Sequence, residues 1–351
     1  MIEITPSKEE LNKLFATSHR FKIIPLTRIF SCISIPIALL TFYLIIKKTT
    51  KRMGLYKYYL LSFTVWNCLL MITVLLLLQY EVVDCNTMVM VIRGPLQYVD
   101  EFYSHLCTFI VIVSTNNVAT ALFLCSVFKY INISITGGLG SVFTTKQLQL
   151  ISITCHVLVT SITAIPSLFS YTSTSVLRNT PSYKYNAILR LLSKETLLVY
   201  DPAVNGAVLL FARIRLIFGT IIYTLVVVFL ILTIQSLRRR KGVLRKNTFR
   251  FQKMLIRTLV IHTMIPIFGL LLPLIVMPLV MNAYVPVLQA LNVIFVSAST
   301  ILNNFSTIYF IKPYRKAAIR IFTCIRHTSP TTPISKSSIM SSHDVNGSII
   351  L

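Results

Sequence analysis

The chain has 351 residues, of which 55% are hydrophobic and 13% charged, and it carries a formal net charge of +24. A soluble globular domain of this size has about a quarter of its residues charged. The composition therefore excludes a soluble globular domain. The positive charge would suit nucleic acid, but its densest stretch lies between two long uncharged segments. That arrangement excludes nucleic acid as a partner and indicates a membrane protein.

Seven apolar runs along the chain are each long enough to cross a bilayer, whose hydrocarbon core of about 30 Å needs about 20 helical residues. Backbone groups in lipid must satisfy their own hydrogen bonds, and runs of this length without polar alternation favour helices over barrel strands. We predict an all-α membrane protein, a seven-transmembrane helix bundle over residues 23–311 after an extracellular N-terminus, 1–22. The runs are Ile29–Ile46, Tyr58–Tyr80, Leu106–Phe128, Leu148–Tyr171, Leu216–Gln235, Thr258–Met281 and Tyr284–Ile311.

The distribution of charge predicts the orientation, because cytoplasmic loops are enriched in Lys and Arg. With the N-terminus outside, the inner segments hold 21 of the 34 basic residues, and nine of the ten acidic residues lie outside. We therefore expect the N-terminus outside the cell and the C-terminus in the cytosol.

The inner loop between the fifth and sixth helices reads SLRRRKGVLRKNTFRFQK (236–253), and eight of its eighteen residues are basic. Basic residues near anionic lipid each contribute about 1 kcal/mol, so we predict that this loop anchors to an anionic inner leaflet. We expect both helices to extend past the bilayer, with Gly242 and Asn247 breaking the helix between them. Contact with a cytosolic partner is a second role, assigned to Arg245 and Lys246 at the tip and to Arg250.

Polar side chains gather where the third and fifth helices begin on the outer side. YVDEFYSH (98–105) places Glu101 and His105 four residues apart on one helix face, and Arg213 and Arg215 open the fifth helix. These groups either bind a ligand, pair with each other, or face water. Deeper in the bundle His262, four residues before Pro266, is either a ligand contact or one of several residues that hydrogen-bond between helices.

The sequence contains no convincing catalytic motif, and we predict neither an enzyme nor a cofactor or metal site. G-x-S-x-G, H-E-x-x-H, a P-loop and C-x-x-C are all absent. None of the ten acidic residues and no Lys lies within the predicted spans, whereas ion-coupled transporters usually keep such groups there. This absence counts against a transporter.

After the seventh run comes KPYRKAAIRIFTCIRH (312–327), whose apolar residues recur at helical spacing with basic residues between them. This pattern predicts a short amphipathic helix on the inner leaflet. Cys324 in it is either a palmitoylation site or a free cytosolic thiol. Residues 328–351 are rich in Ser and Thr and are predicted to form a disordered cytosolic tail.

Four segments carry a resemblance that extends over essentially the whole chain. They are CISIPIALLTFYLIIKKTTKRM (32–53), KYYLLSFTVWNCLL (57–70), MLIRTLVIHTMIPIFGLLLP (254–273) and KPYRK (312–316). They resemble nematode chemosensory receptors, class H of the Str superfamily. The shared features are S-I-P-I in the first helix, the basic loop after it, I-P in the sixth helix and P-Y-R after the seventh. Classes I and D share several of these features.

The chain departs from that pattern at the end of the third helix, where class H often has an E-N-R-like triplet. Here the chain reads LFLCSVFKY (122–130), and Lys129 is the only charged residue in it. The D-R-Y and N-P-x-x-Y motifs of rhodopsin-like receptors are absent as well.

The resemblance implies a plasma-membrane receptor, in sensory neurons, that detects a small molecule such as an odorant and signals through a heterotrimeric G protein. Two alternatives are a ligand-gated cation channel of the insect-odorant-receptor type, whose N-terminus lies inside, and a membrane transporter. The candidate ligand contacts are Glu101, His105, Arg213, Arg215 and His262, and the candidate G-protein contacts are Lys129, Arg245, Lys246 and Arg250.

Overall fold

The computed structural model describes residues 23–50, 53, 56–77, 80–84, 87–92, 94–134, 144–174, 176, 196–268 and 286–327. Within these ranges the chain forms eight α-helices and one small sheet. The helices are α1 Ile23–Lys48, α2 Tyr56–Leu77, α3 Glu101–Ser134, α4 Thr145–Phe169, α5 Ala207–Arg239, α6 Lys246–Pro266, α7 Pro286–Phe310 and α8 Lys312–His327.

The long helices coincide with the apolar runs of the sequence. Helices α1 to α5 are each long and apolar enough to cross a membrane, and α7 with α8 meets the same criterion as a pair bent by 99°. Residues 269–285 hold the rest of the sixth predicted span and the start of the seventh, and they lie outside the described residues. The described residues therefore contain five or six of the seven predicted spans, and α6 covers only the first nine residues of the sixth run.

Helix α3 is the centre of the bundle. In its most apolar stretch 72% of the residues are buried, against 22% in α4 and 28% in α5. Its buried positions occur all round the helix, which is typical of a helix enclosed by neighbours. A side chain on α3 can therefore contact several other helices.

The prediction of an all-helical chain misses a three-stranded antiparallel sheet. Its strands, in the order β1-β2-β3, are Tyr80–Asp84, Thr87–Ile92 and Thr196–Tyr200. The run TMVMVI has the β-branched alternation of a strand, but the second predicted span, Tyr58–Tyr80, ends on the first residue of β1. The strands lie in the loops after α2 and before α5, and we call this end of the bundle the sheet end.

The sheet covers one end of the bundle by apolar contact. Its buried side chains form a cluster with residues of α2 and α5, and residues of α3 pack against that cluster. The cluster consists of Leu77, Met90, Ile92, Leu198, Tyr200 and Val208, with Leu96, Cys107, Val111 and Tyr171 against it.

A glycine allows the chain to fold closely over the end of α2. The Gly94 N–H donates a hydrogen bond of 2.9 Å to the carbonyl of Leu77. A Cβ atom on Gly94 would lie 2.0 Å from the carbonyl oxygen of Leu76, so a side chain at this position requires the backbone to move.

At the opposite end, which we call the α8 end, the predicted amphipathic segment is helical over Lys312–His327. Tyr314, from the P-Y-R sequence, is fully buried, and its hydroxyl lies 2.7 Å from Oγ1 of Thr49 beside α1. This contact fixes the sharp bend between α7 and α8.

The connection between α5 and α6 is shorter than expected. Helix α5 ends at Arg239 and α6 begins at Lys246, so Asn247 lies inside α6 and does not break it. Gly242 lies in the turn, as predicted. Arg240 donates a hydrogen bond to the carbonyl of Ser134, which ties the turn to the end of α3.

Candidate functional site

At the sheet end the carboxylate of Glu101 holds the segment that follows α4. Its Oε1 atom accepts hydrogen bonds from the Tyr171 hydroxyl at 2.8 Å, the Ser173 hydroxyl at 3.0 Å and the Thr174 N–H at 3.1 Å. Three donors on one oxygen fix the position of Tyr171. Glu101 is therefore a positioning residue in this structure.

His105 lies one turn further along α3 and is 2% exposed. Its Nδ1 atom lies 2.8 Å from the Tyr200 hydroxyl, at the end of β3. The Tyr171 and His105 rings have centroids 4.7 Å apart, and Phe102 meets the Tyr171 ring edge-on. The Nε2 atom of His105 is buried and has no hydrogen-bond partner among the described residues. Eight other buried side-chain atoms of the described residues also lack a partner, so the candidate binding site rests on this nitrogen together with the Tyr171 and Tyr200 rings beside it.

A polar turn holds Tyr200 in place beside His105. The backbone carbonyl of Asp201 accepts from the N–H groups of Val204 and Asn205. The Asn205 amide then donates to the carbonyls of Phe169 at 2.8 Å and Tyr171 at 3.2 Å. The turn thus joins the segments after β3 and after α4, which supply the two tyrosines of the site.

The two candidate arginines of α5 occupy different faces. Arg215 is half-buried and lies seven residues after the buried Val208 and seven before the buried Ile222, so it faces the bundle. Arg213 is exposed.

His262 lies deeper in the bundle, where it joins three helices. Its Nε2 atom lies 3.0 Å from the carbonyl of Asn303 and 3.0 Å from Oγ1 of Thr307, both in α7. The ring stacks on Phe63 of α2, with centroids 4.9 Å apart. The structure does not bring His262 to His105, and its contacts are those of an interhelical hydrogen-bonding residue.

Lys129, the lone charge near the end of α3, is 5% exposed and points into the bundle. Its ammonium group donates a hydrogen bond of 3.0 Å to Oε1 of Gln252 in α6. It also lies 4.5 Å from the centre of the Tyr56 ring in α2, within cation–π range. Lys129 therefore joins α2, α3 and α6 and does not reach the surface in this conformation.

The remaining candidates are at the α8 end. Arg245 immediately precedes α6, and Lys246 and Arg250 lie in its first turns; all three side chains are exposed. Cys324 lies in α8, but its side chain is outside the described part of the structure.

Sequence reasoning missed Tyr171, Tyr200 and Gln252, which contact the predicted residues. The strand pattern of TLLVY (196–200) is the signal that could have indicated Tyr200 at a strand end. No local pattern indicates Gln252, which is 123 positions from Lys129 in the chain.

A bundle of apolar spans, with a buried polar cluster under a sheet at one end and basic helix ends at the other, is the architecture of a helical membrane protein. The chain matches the family model described as Serpentine type 7TM GPCR chemoreceptor Srh over residues 19–324. The match covers most of the chain, and the protein belongs to this family. This match confirms the resemblance to class H. The protein is a multi-pass G-protein-coupled chemosensory receptor and not an enzyme. No curated protein matches the chain.

Proposed function

We propose that the protein is a receptor in the plasma membrane of sensory neurons, that its sheet end faces outward, and that it binds a small chemical cue beside His105. The observation that carries this proposal is the buried Nε2 atom of His105, which has no partner among the described residues. A buried polar atom left unpaired costs about 1–3 kcal/mol, and a ligand that bonds to it recovers part of that cost.

The surroundings of this atom indicate what the ligand is like. When the Tyr200 hydroxyl donates to Nδ1, the ring proton is on Nε2, and the ligand offers an acceptor such as a carbonyl or hydroxyl oxygen. Tyr171 lies against the His105 ring and favours a flat or apolar body. The cue is then a small molecule with an oxygen acceptor on a flat or apolar body. Half-buried Arg215 is the second candidate contact, for a cue that carries an acidic group.

The signal passes to α6, which is held to its neighbours at two levels. His262 bonds it to α7 in the middle of the bundle, and Gln252 bonds it to Lys129 of α3 near the α8 end. Release of the Lys129–Gln252 hydrogen bond frees the end of α6 that carries Arg245, Lys246 and Arg250. These exposed basic residues contact the G protein, while α8 lies on the anionic inner leaflet with Cys324 as its lipidation site.

The ligand produces this change only if it binds the released state more tightly. Moving a two-state equilibrium from 1:99 to 99:1 requires about 5.5 kcal/mol of differential binding. One hydrogen bond to His105 supplies a part of this, so contacts with Tyr171 and its neighbours must supply the rest.

The test is a panel of small odorants applied to cells that express the receptor with a calcium reporter. We expect the effective concentration of an active compound to rise about tenfold in His105→Leu, the loss of roughly one good hydrogen bond. Tyr103→Phe is the matched control, because Tyr103 lies at the same end of α3 but is 53% exposed. Equal sensitivity of His105→Leu and wild type, at equal surface level, would remove His105 from the site.

The two alternative functions are tested in the same cells. GDPβS, which blocks G-protein activation, abolishes the response of a receptor but leaves the current of a ligand-gated channel intact. An epitope at the N-terminus is accessible on intact cells if the sheet end faces outward, and inaccessible in a channel of the insect-odorant-receptor type. Uptake of the active compound into vesicles would indicate a transporter.

A further inference from the structure

The sheet closes the end of the bundle beside His105 with hydrogen bonds as well as apolar packing. Strand β3 pairs with β2 along its whole length, and the Thr196 hydroxyl donates to the carbonyl of Gln97 at 2.9 Å. At the other end of β3, the Tyr200 hydroxyl contacts His105. A cue that enters through the sheet must break several of these bonds together, and local unfolding of that kind is costly.

The boundary between α3 and α4 at the same end is closed by aromatic rings. The Tyr171 ring lies against His105, with centroids 4.7 Å apart, and Phe102 meets the Tyr171 ring edge-on, with centroids 6.3 Å apart. His105 is 2% exposed, Tyr171 is half-buried and Phe102 is 50% exposed. Rings in contact therefore lead from the buried nitrogen to the surface of the bundle. We call Phe102 and Tyr171 the aromatic seam.

Phe102 is the ring of the aromatic seam that can move. The Tyr171 hydroxyl donates to Glu101, and the Tyr171 carbonyl accepts from the Asn205 amide, so both ends of this residue are held. The Phe102 side chain is apolar and meets the Tyr171 and Tyr103 rings edge-on. Exposed side chains change rotamer within nanoseconds, far faster than strands separate. Rotation of Phe102 uncovers the Tyr171 ring while the sheet stays in place.

The aromatic seam borders lipid. Helices α3 and α4 are both long and apolar enough to span a membrane. Ile165, Leu168 and Phe169, in the last two turns of α4, are between 46% and 71% exposed. Apolar surface on a spanning helix meets the bilayer and not water, and aromatic side chains are typical of the level of the headgroups. The seam therefore opens toward the membrane.

We propose that the cue reaches His105 from the membrane, between α3 and α4, with Phe102 as the gate. This rests on the proposed function, in which the sheet end faces outward and His105 binds the cue. The route selects uncharged molecules that partition into the bilayer, because a charge is costly in hydrocarbon. Such a molecule carries its oxygen acceptor to Nε2 on an apolar body that passes between aromatic rings. Among cues with the same acceptor, potency then rises with lipid solubility.

The experiment measures access to the site and needs no identified cue. His105→Cys places a thiol at the site, and Thr108→Cys places one on the same face of α3, about one turn deeper. Either variant suffices if the other does not fold. The full-length receptor in phosphatidylcholine nanodiscs is treated with N-phenylmaleimide, which is flat, uncharged and bears carbonyl oxygens, or with its sulfonated analogue, which stays in water.

Mass spectrometry gives the labelling rate at the introduced cysteine, and each rate is divided by the rate of the same reagent with glutathione. We expect N-phenylmaleimide to react about a hundredfold faster than the sulfonated reagent, because hydrocarbon excludes the charge. Phe102→Ala removes the gate and should raise the rate with N-phenylmaleimide about fivefold, the loss of one aromatic pair, while the sulfonated reagent stays slow. Tyr98→Ala is the matched control, since Tyr98 is an aromatic residue at the same end that is 84% exposed.

The proposal is overturned if the two reagents have equal normalised rates, or if neither reagent labels a folded cysteine variant. It is also overturned if Phe102→Ala leaves the rate unchanged or raises it no more than Tyr98→Ala does. Labelling does not involve signalling, so this outcome is separate from that of the proposed function. Labelling that depends on Phe102, together with an unchanged response of His105→Leu, would overturn the proposed function and leave the membrane entrance. The reverse pair of results would overturn the entrance alone.

Discussion

Helix α3 carries a buried polar side chain near each of its ends, and the two differ in how they are satisfied. His105 and Lys129 are 24 residues apart, about 36 Å along the helix. His105 has one ring nitrogen paired with Tyr200 and one with no partner among the described residues. Lys129 bonds to Gln252 and lies over the Tyr56 ring. His105 retains a hydrogen-bonding atom that another molecule can use, whereas the Lys129 ammonium group holds three helices of the bundle together.

The largest expected effect concerns how closely each end is packed, and glycines at the two ends provide the comparison. Gly94→Ala places a Cβ atom against the backbone carbonyl of Leu76, whereas nothing lies within 4 Å of a Cβ atom on Gly242. We expect Gly94→Ala to cost about 1–3 kcal/mol and to remove most of the receptor from the cell surface. Gly242→Ala should be neutral. Surface antibody labelling measures both, and equal levels would show that the sheet does not pack over α2 as described.

The next effect tests whether the contact at the α8 end holds the receptor inactive. Lys129→Met and Gln252→Leu each remove the hydrogen bond to a charged group, worth about 1.5–3 kcal/mol, so basal signalling rises about tenfold or more. The double variant should signal no more than either single one, because both remove the same bond. Lys253→Met is the control, since it removes an exposed charge beside Gln252. Unchanged basal signalling in both single variants would show that the Lys129–Gln252 hydrogen bond does not hold the receptor inactive.

A smaller effect is expected from Glu101, which would act on the proposed ligand site through Tyr171. Glu101→Gln retains an acceptor oxygen but loses the charge that strengthens its three hydrogen bonds. We expect about a fivefold loss of potency with little change in maximal response, a loss of about 1 kcal/mol. Asp100→Asn is the matched control, because Asp100 bonds to the N–H of Phe102 instead. A dose–response curve identical to wild type would show that Tyr171 needs no such support.

The smallest effect is expected at the exposed tip of the α8 end. Arg245→Gln with Lys246→Gln should reduce G-protein activation about two- to threefold, because exposed charge pairs are each worth about 0–1 kcal/mol. Surface level should not change. Replacing Arg238, Arg239, Arg240 and Lys241 by Gln should instead impair insertion, since these residues end α5 or follow it directly and lie next to the membrane. Normal signalling by the tip variant would leave this loop with an anchoring role alone.

The spans, the amphipathic α8 and the shared face of Glu101 and His105 could all be predicted from the sequence. Each depends on residues that are close together in the chain. Apolar length predicts a span, and a spacing of four residues places two side chains on one helix face. The basic composition of the loop after α5 is equally local, and it remains exposed in the structure.

The contacts that distinguish the two ends of α3 were decided by the tertiary structure. Tyr200 is 95 positions from His105, and Gln252 is 123 positions from Lys129. No local periodicity encodes such distances, so the sequence made Lys129 look like a surface contact although packing buries it. The sheet depends in the same way on pairing β2 with the distant β3. Hydropathy and helical periodicity set the elements within one stretch of chain, whereas partners across the bundle are selected only when the elements pack together.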